Sequence, residues 1–225
     1  MNKRNIKIAI VDYGMGNVFS IMRACEFAGM SPFLTDSARE LVNAHAIILP
    51  GVGAFGDAMN ALKKSDLITP LKEIADAGKY LIGICLGMQL LMDESYEHGN
   101  HKGLGIISGR VVRLNNAIDN QGNVLKVPHV GWNKILRLKS DWSGTLLDLI
   151  QDEAYMYFVH SFYVVPDRKD VFLSESKYGA NRFCSSLAYG KVIGFQFHPE
   201  RSGPEGLKIY KKLEMLIDES YQSGD

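Results

Sequence analysis

The feature that most constrains this 225-residue chain is a repeated local grammar in its N-terminal half: a short apolar run, a glycine turn, then apolar residues at helical spacing. KIAIVDYG closes a β-branched run with Asp12 and Gly14, and Val18, Ile21, Met22 and Cys25 then recur at helical spacing up to Gly29. AIILPGVGAFG repeats the pattern, with a strand over Ala46–Leu49, a Pro-Gly turn and a helix through Met59 and Leu62. LKEIADAGKYLIGICLGMQLLMDES reads as a helix, a strand over Tyr80–Ile84, and a helix from about Gly87. Strands that alternate with helices pair in parallel and are covered on both faces, and such sheets place ligands at the carboxyl ends of their strands.

The second half changes character. VVRL, ILRL, AYMYFVHSFYVV, FCSSLAYG and KVIGFQFHPE read as short strands between turns, which predicts antiparallel additions, and GLKIYKKLEMLIDESY reads as a closing amphipathic helix. The expected fold is therefore α/β: a mostly parallel central sheet with flanking helices and antiparallel additions. No internal repeat, low-complexity tract or long linker divides it, so a single domain over residues 1–225 is expected.

Charge removes several classes of partner. Lys plus Arg and Asp plus Glu are 25 each, with no single-sign run, so neither nucleic acid nor an acidic membrane is expected to bind. The apolar run near the N-terminus is short and ends at Asp12, and no stretch approaches the ~18 apolar residues of a membrane span, which predicts a soluble, cytoplasmic protein. Three cysteines are too few and too odd for a disulfide framework, so reduced thiols are expected.

One of those thiols sits in a chemically suggestive place. Gly83-Ile84-Cys85-Leu86-Gly87 fits a glycine-x-nucleophile-x-glycine elbow, a strained strand-to-helix turn whose glycines let neighbouring backbone pass close. The helix that follows would favour a thiolate and supply an amide N–H to a developing oxyanion. Alone, the match fits a buried structural cysteine equally well, so the decision rests on a base. GFQFHPERSG supplies one: a strand read over 192–197 ends at His198, with Glu200 two residues on. On a strand such residues share a face, so the carboxylate can orient the imidazole toward the thiol. Cys25 and Cys184 read as structural thiols. His98 and His101 have a metal-like spacing but lie in a Gly-Asn loop without a third ligand, so no metal is expected.

GICLGMQLL together with FHPE resembles the class I, triad-type glutamine amidotransferases. DYGMGN, LPGVGAFGDAM, PHVGWN and YFVHS are similar to the glutaminase subunits of imidazole glycerol phosphate synthases, nearly end to end. The resemblance implies hydrolysis of glutamine through a γ-glutamyl thioester, without a cofactor, and transfer of the ammonia to a synthase (cyclase) subunit in a heterodimer of histidine biosynthesis. It implies Cys85 as nucleophile, His198 as general base and acid, and Glu200 as its orienter. It further implies an oxyanion hole from the backbone of Gly53 and Leu86, and a glutamine pocket from Gln89, Glu97, Tyr157, His160, Ser161 and Phe162. Asn17, Trp132 and Arg201 match positions near the partner interface.

The chain also departs from that pattern. Arg201 follows the triad glutamate where lysine is frequent, and ERSGPEGLKIY and FCSSL resemble a branch of these subunits that serves surface-polysaccharide amidotransferases, which leaves the ammonia acceptor open. A non-catalytic docking subunit and a stand-alone γ-glutamyl hydrolase are the other readings. The intact Cys-His-Glu set argues against the first, and measuring glutaminase with and without a synthase tests both.

Overall fold

Apolar strands buried on both faces force the N-terminal half into a parallel sheet. The structure is a computed structural model that describes residues 5–115, 118–119, 121–138 and 141–222. In it β1 (Lys7–Val11), α1 (Val18–Phe27), β2 (Ser31–Thr35), α2 (Ala38–Asn43), β3 (Ala46–Leu49), α3 (Phe55–Lys64), α4 (Ile68–Asp76), β4 (Tyr80–Ile84) and α5 (Leu86–Leu90) follow one another. Short strands come next: β5 (Glu94–Ser95), β6 (His101–Lys102), β7 (Gly109–Arg113), β8 (His129–Lys134) and β9 (Leu136–Arg137). The chain continues with β10 (Tyr155–His160), β11 (Phe162–Pro166), β12 (Phe172–Tyr178), β13 (Asn181–Tyr189) and β14 (Val192–Phe195), and closes with α6 (Gly203–Gln222). One eight-stranded sheet runs β2-β1-β3-β4-β14-β13-β12-β9; a second runs β11-β7-β5-β6, and β10 pairs with β8.

Alternation sorts each central strand between two cores. Ile8 and Ile10 of β1, Ala46 and Ile48 of β3, and Ile82 and Ile84 of β4 point to the face covered by α1 and α6. Ala9, Val11, Ile47, Leu49 and Leu81 point to the other, covered by α2 to α5. Each isoleucine, leucine or valine among them contributes roughly 1.5–3 kcal/mol when taken out of water, and the same burial fixes register, because a one-residue slip would exchange the faces.

The strands read over Ala46–Leu49 and Tyr80–Ile84 have those bounds. β2 escaped the reading because it carries Pro32 and is only partly buried; as the sheet's edge strand, it can hold a proline on the side that needs no ladder bond. KVIGFQFHPE needs a correction. β14 is antiparallel to β13 but parallel to β4, in the register Ile84↔Phe195, so it extends the parallel core rather than adding to its antiparallel side. It also stops at Phe195, short of the strand end expected at residue 197.

Candidate active site

The register that joins β4 to β14 brings the two suggestive motifs together. Cys85 follows Ile84 as Gln196 follows Phe195, and the Cys85 N–H donates to the Phe195 carbonyl at 2.7 Å. Cys85 holds φ 54° and ψ −109°, a left-handed conformation that costs a residue with a Cβ on the order of 1–2 kcal/mol. Its glycine neighbours exist for close packing. A Cβ on Gly87 would lie 1.9 Å from the Leu49 carbonyl oxygen, and one on Gly83 would lie 2.7 Å from the Gly87 carbonyl. The turn leads into α5, which begins at Leu86, so the Leu86 N–H has no acceptor within its own helix. α5 is short, five residues, and the Gln89 N–H closes its first turn on the Cys85 carbonyl.

His198 and Glu200 lie beyond the end of β14, the latter in a 3₁₀ turn over Pro199–Arg201, so the shared strand face invoked from sequence is not what pairs them. The turn achieves the same result: His198 Nδ1 donates to Glu200 Oε1 at 2.8 Å, with both side chains buried. Ser202 staples this turn by donating to the His198 carbonyl at 2.7 Å while accepting the Tyr157 N–H at 3.0 Å, and the His198 N–H donates to the Tyr157 carbonyl. Burial alone would lower the imidazole's pKa. The negative charge of Cys85, aided by the Glu200 carboxylate, overcomes that and raises it well above the ordinary histidine range. His198 Nε2 has no hydrogen-bond partner among the described residues, so nothing competes for it in the cavity that it shares with Cys85.

That cavity, about 270 Å³, is lined by Val52, Gly53, Cys85, Leu86, Gln89, Glu97, Pro128, Val159, His160, Ser161, Phe162 and His198. Most of the residues expected around glutamine thus converge on one space. Gly53, at φ 104°, adopts a conformation suited to glycine, in a loop held from below by the Tyr13 hydroxyl, which donates to the Pro50 carbonyl at 2.5 Å. Glu97 anchors the far end of that loop, its Oε2 accepting the N–H of Phe55, the first residue of α3, at 2.7 Å. Gln89 reaches across to donate to the Phe162 carbonyl at 3.0 Å.

Tyr157 is the exception and needs a correction. It is absent from the cavity lining: on β10 it faces away from Phe158 and His160, and its ring stands 6.0 Å from Trp132, its cross-strand partner, with the Arg201 guanidinium 4.9 Å from its centroid. It therefore lies beside Trp132 and Arg201, two of the residues expected near the partner interface, rather than in the cavity. Trp132 is 55% exposed, and Asn17 is exposed too, donating to Ser20 Oγ at 3.1 Å. Residues the sequence reading passed over also matter here: Tyr13 and Ser202 as struts, Gln196 beside the thiol, and His129 behind the pocket wall. Only Gln196 carried any signal, as the polar residue inside the apolar run GFQFH.

His129 and His160 form a neutral buried pair. His160 Nδ1 donates to the Phe162 carbonyl at 2.9 Å, so its Nε2 is left to accept from His129 Nδ1 at 3.0 Å. Burial pushes His129 down to about 4 and His160 down to about 3. Both are neutral in the fold while an unfolded histidine protonates near pH 6.5, so their stability is complete above that pH and lost progressively below it. His198, raised instead, has the opposite sign: its contribution is full below about pH 6.5 and is lost progressively as pH rises from there to its folded value. Between pH 7 and pH 5 the chain should lose on the order of 2 kcal/mol for each of His129 and His160 in urea unfolding, since each pH unit below about 6.5 corresponds to about 1.4 kcal/mol. A urea midpoint unchanged over that interval would refute the neutral pair.

Cys25 and Cys184 are buried away from the cavity. Burial pushes Cys25 up to about 12 and raises Cys184 further, so neither is a reactive thiolate near neutral pH.

The family described as glutamine amidotransferase class-I matches residues 9–214. The imidazole glycerol phosphate synthase subunit HisH of Geobacillus sp. (strain WCH70) is 46% identical over 211 residues, covering 94% of this chain and 97% of that protein. The subunit of the same name from Aquifex aeolicus (strain VF5) is 39% identical over 210 residues, covering 93% and 96%. Among solved structures, PurLQS from Thermotoga maritima aligns with a TM-score of 0.68 at 20% identity, covering 93% of this chain and 98% of that one. A glutamine amidotransferase from Thermotoga maritima aligns with a TM-score of 0.57 at 17% identity, covering 99% and 87%. At such identities the structures speak for the fold alone, whereas the family match and the sequence relatives go further: this chain belongs to the class-I glutamine amidotransferases.

Proposed function

We propose that this chain is the glutaminase subunit of an imidazole glycerol phosphate synthase, releasing ammonia from glutamine for a cyclase subunit in cytoplasmic histidine biosynthesis. The observation that carries the reading is the meeting of Cys85 with His198, itself held by Glu200, in one cavity lined by Gly53 of the glycine loop, in a chain 46% identical to a subunit of that name. Relatives at 39% to 46% identity over nearly the whole chain favour the histidine-pathway acceptor over a surface sugar, despite Arg201.

In this reading the Cys85 thiolate attacks the side-chain amide carbon of glutamine. A C–S bond forms, and the oxygen takes up charge that the amide N–H groups of Leu86 and Gly53 receive. His198 passes its Nε2 proton to the leaving nitrogen as the C–N bond breaks, which frees ammonia and leaves a γ-glutamyl thioester. Water, deprotonated by His198, then attacks that thioester; the C–S bond breaks and glutamate leaves. Glu200 holds the ring by its Nδ1 and stabilises the imidazolium formed along the way. Gln89, His160, Ser161 and Phe162 hold the substrate, and Glu97 takes its ammonium group while tethering the start of α3.

Partner dependence tests the reading. Ammonia released to water is protonated at neutral pH and lost to chemistry, so the subunit is useful only when docked on a loaded synthase. A cyclase subunit carrying its acceptor is expected to raise glutamine turnover at least tenfold, about 1.4 kcal/mol of coupling. Arg201→Ala, which removes the cation above Tyr157, should weaken that stimulation more than the basal rate. Full-speed turnover by the purified chain, indifferent to the cyclase subunit, would instead identify a stand-alone hydrolase.

A further inference from the structure

We infer that Gln196 is a further catalytic residue, whose side-chain amide donates to the sulfur of Cys85 and is held in that orientation by Gln89. The inference rests on the reading of Cys85 as the nucleophile. Gln196 has 0% of its surface exposed, and its Nε2 lies 3.7 Å from Cys85 Sγ. A buried amide must satisfy both of its ends, and here the neighbours decide which end meets the sulfur.

The assignment runs outward from a group that can only accept. The Phe162 carbonyl takes an N–H from Gln89 Nε2 at 3.0 Å, so Gln89 must present its amino group on that side. The same amino group lies 3.2 Å from Gln196 Oε1, which its second hydrogen requires to be an oxygen. With its oxygen so engaged, Gln196 turns its own amino group to Cys85. The reverse orientation would set two amino groups against each other and an oxygen lone pair against the sulfur. A thiol can donate to the Val159 carbonyl at 3.7 Å, but a thiolate cannot, whereas the Gln196 N–H gains strength as the sulfur becomes negative. A hydrogen bond to the charged form favours that form, so this amide promotes the attacking species. Gln89 also lines the glutamine cavity, which makes the substrate pocket continuous with the device that aims the donor.

Gln196→Met keeps nearly the same volume without a donor, and Gln196→Glu keeps the shape while replacing the donor with an acceptor. Both are measured as the complex with the cyclase subunit, alongside wild type and Cys85→Ala. For Gln196→Met we expect kcat to fall 10- to 100-fold with KM changed less than threefold. Alkylation of Cys85 by iodoacetamide at pH 7 should slow about tenfold and recover as pH is raised. Gln196→Glu should lose at least as much and carries the test if the methionine variant does not fold. Wild-type kcat and alkylation in both variants would overturn the inference. A fall in kcat with an unchanged alkylation pH profile would overturn it as well, reducing Gln196 to a packing residue. Turnover surviving in Cys85→Ala would strike the nucleophile assignment instead, a separate failure.

Discussion

Cys85→Ala is expected to lower glutamine hydrolysis by more than about ten-thousandfold while leaving the fold and partner binding in place, because in the proposed mechanism Cys85 forms the covalent intermediate and its loss closes that route altogether. The structure gives this prediction a second, independent part. Alanine keeps the Cβ that strains the turn at φ 54°, so Cys85→Ala should unfold at nearly the wild-type urea concentration. Cys85→Gly, equally inactive, removes the Cβ and should gain on the order of 1 kcal/mol from the relieved left-handed strain, less whatever glycine adds to the entropy of the unfolded chain. Appreciable turnover in Cys85→Ala would remove this thiol from its role. A glutamine-like electrophile labelling Cys184 rather than Cys85 would count equally against it, since burial holds Cys184 in its thiol form.

His198→Asn is expected to cost about 10³-fold or more in kcat/KM, and Glu200→Gln distinctly less. The asymmetry follows from the geometry. Asparagine cannot carry the proton from attacking thiol to leaving nitrogen, whereas Glu200→Gln leaves the imidazole in place and still offers an oxygen to Nδ1. What that variant loses is the carboxylate charge that helps raise the imidazole, so its pH–rate profile should shift to lower pH. A His198→Asn enzyme within a factor of a few of wild type would dissolve the triad, and equal losses in the two variants would mean that Glu200 does more than orient.

Much of this was readable in the sequence, and the failures have physical causes. β1, β3 and β4 announce themselves because burial on both faces demands unbroken β-branched or leucine-rich runs, and the glycines at 83 and 87 mark the elbow because no Cβ fits where they pass Leu49 and each other. β2 was silent because an edge strand tolerates proline and half-exposure. The direction of β14 was hidden because a four-residue strand does not name its neighbours: its parallel pairing with β4 depends on where α5 and the intervening strands return the chain. The aromatic run of β10 misled for a related reason. Alternation sends Phe158 and His160 inward but Tyr157 to the opposite face, and only the pairing with Trp132 across β8 shows that this face meets Arg201. Glu200 was paired correctly for the wrong reason, a tight turn doing what a strand was expected to do.

The adjacency of β4 and β14 also bears on how the chain is born. Cys85 and Gln196 are separated by 111 residues, which a ribosome adds in on the order of ten seconds at about 5–20 residues per second. Throughout that interval the thiol has left the site of synthesis, but the strand that flanks β4, the carbonyl that holds the Cys85 N–H and the imidazole beyond them do not yet exist. A stalled or prematurely terminated chain therefore carries the reactive cysteine without the means to use it. The proposed chemistry can therefore begin only after the chain has been extended past His198 and Glu200, more than a hundred residues after the thiol was made.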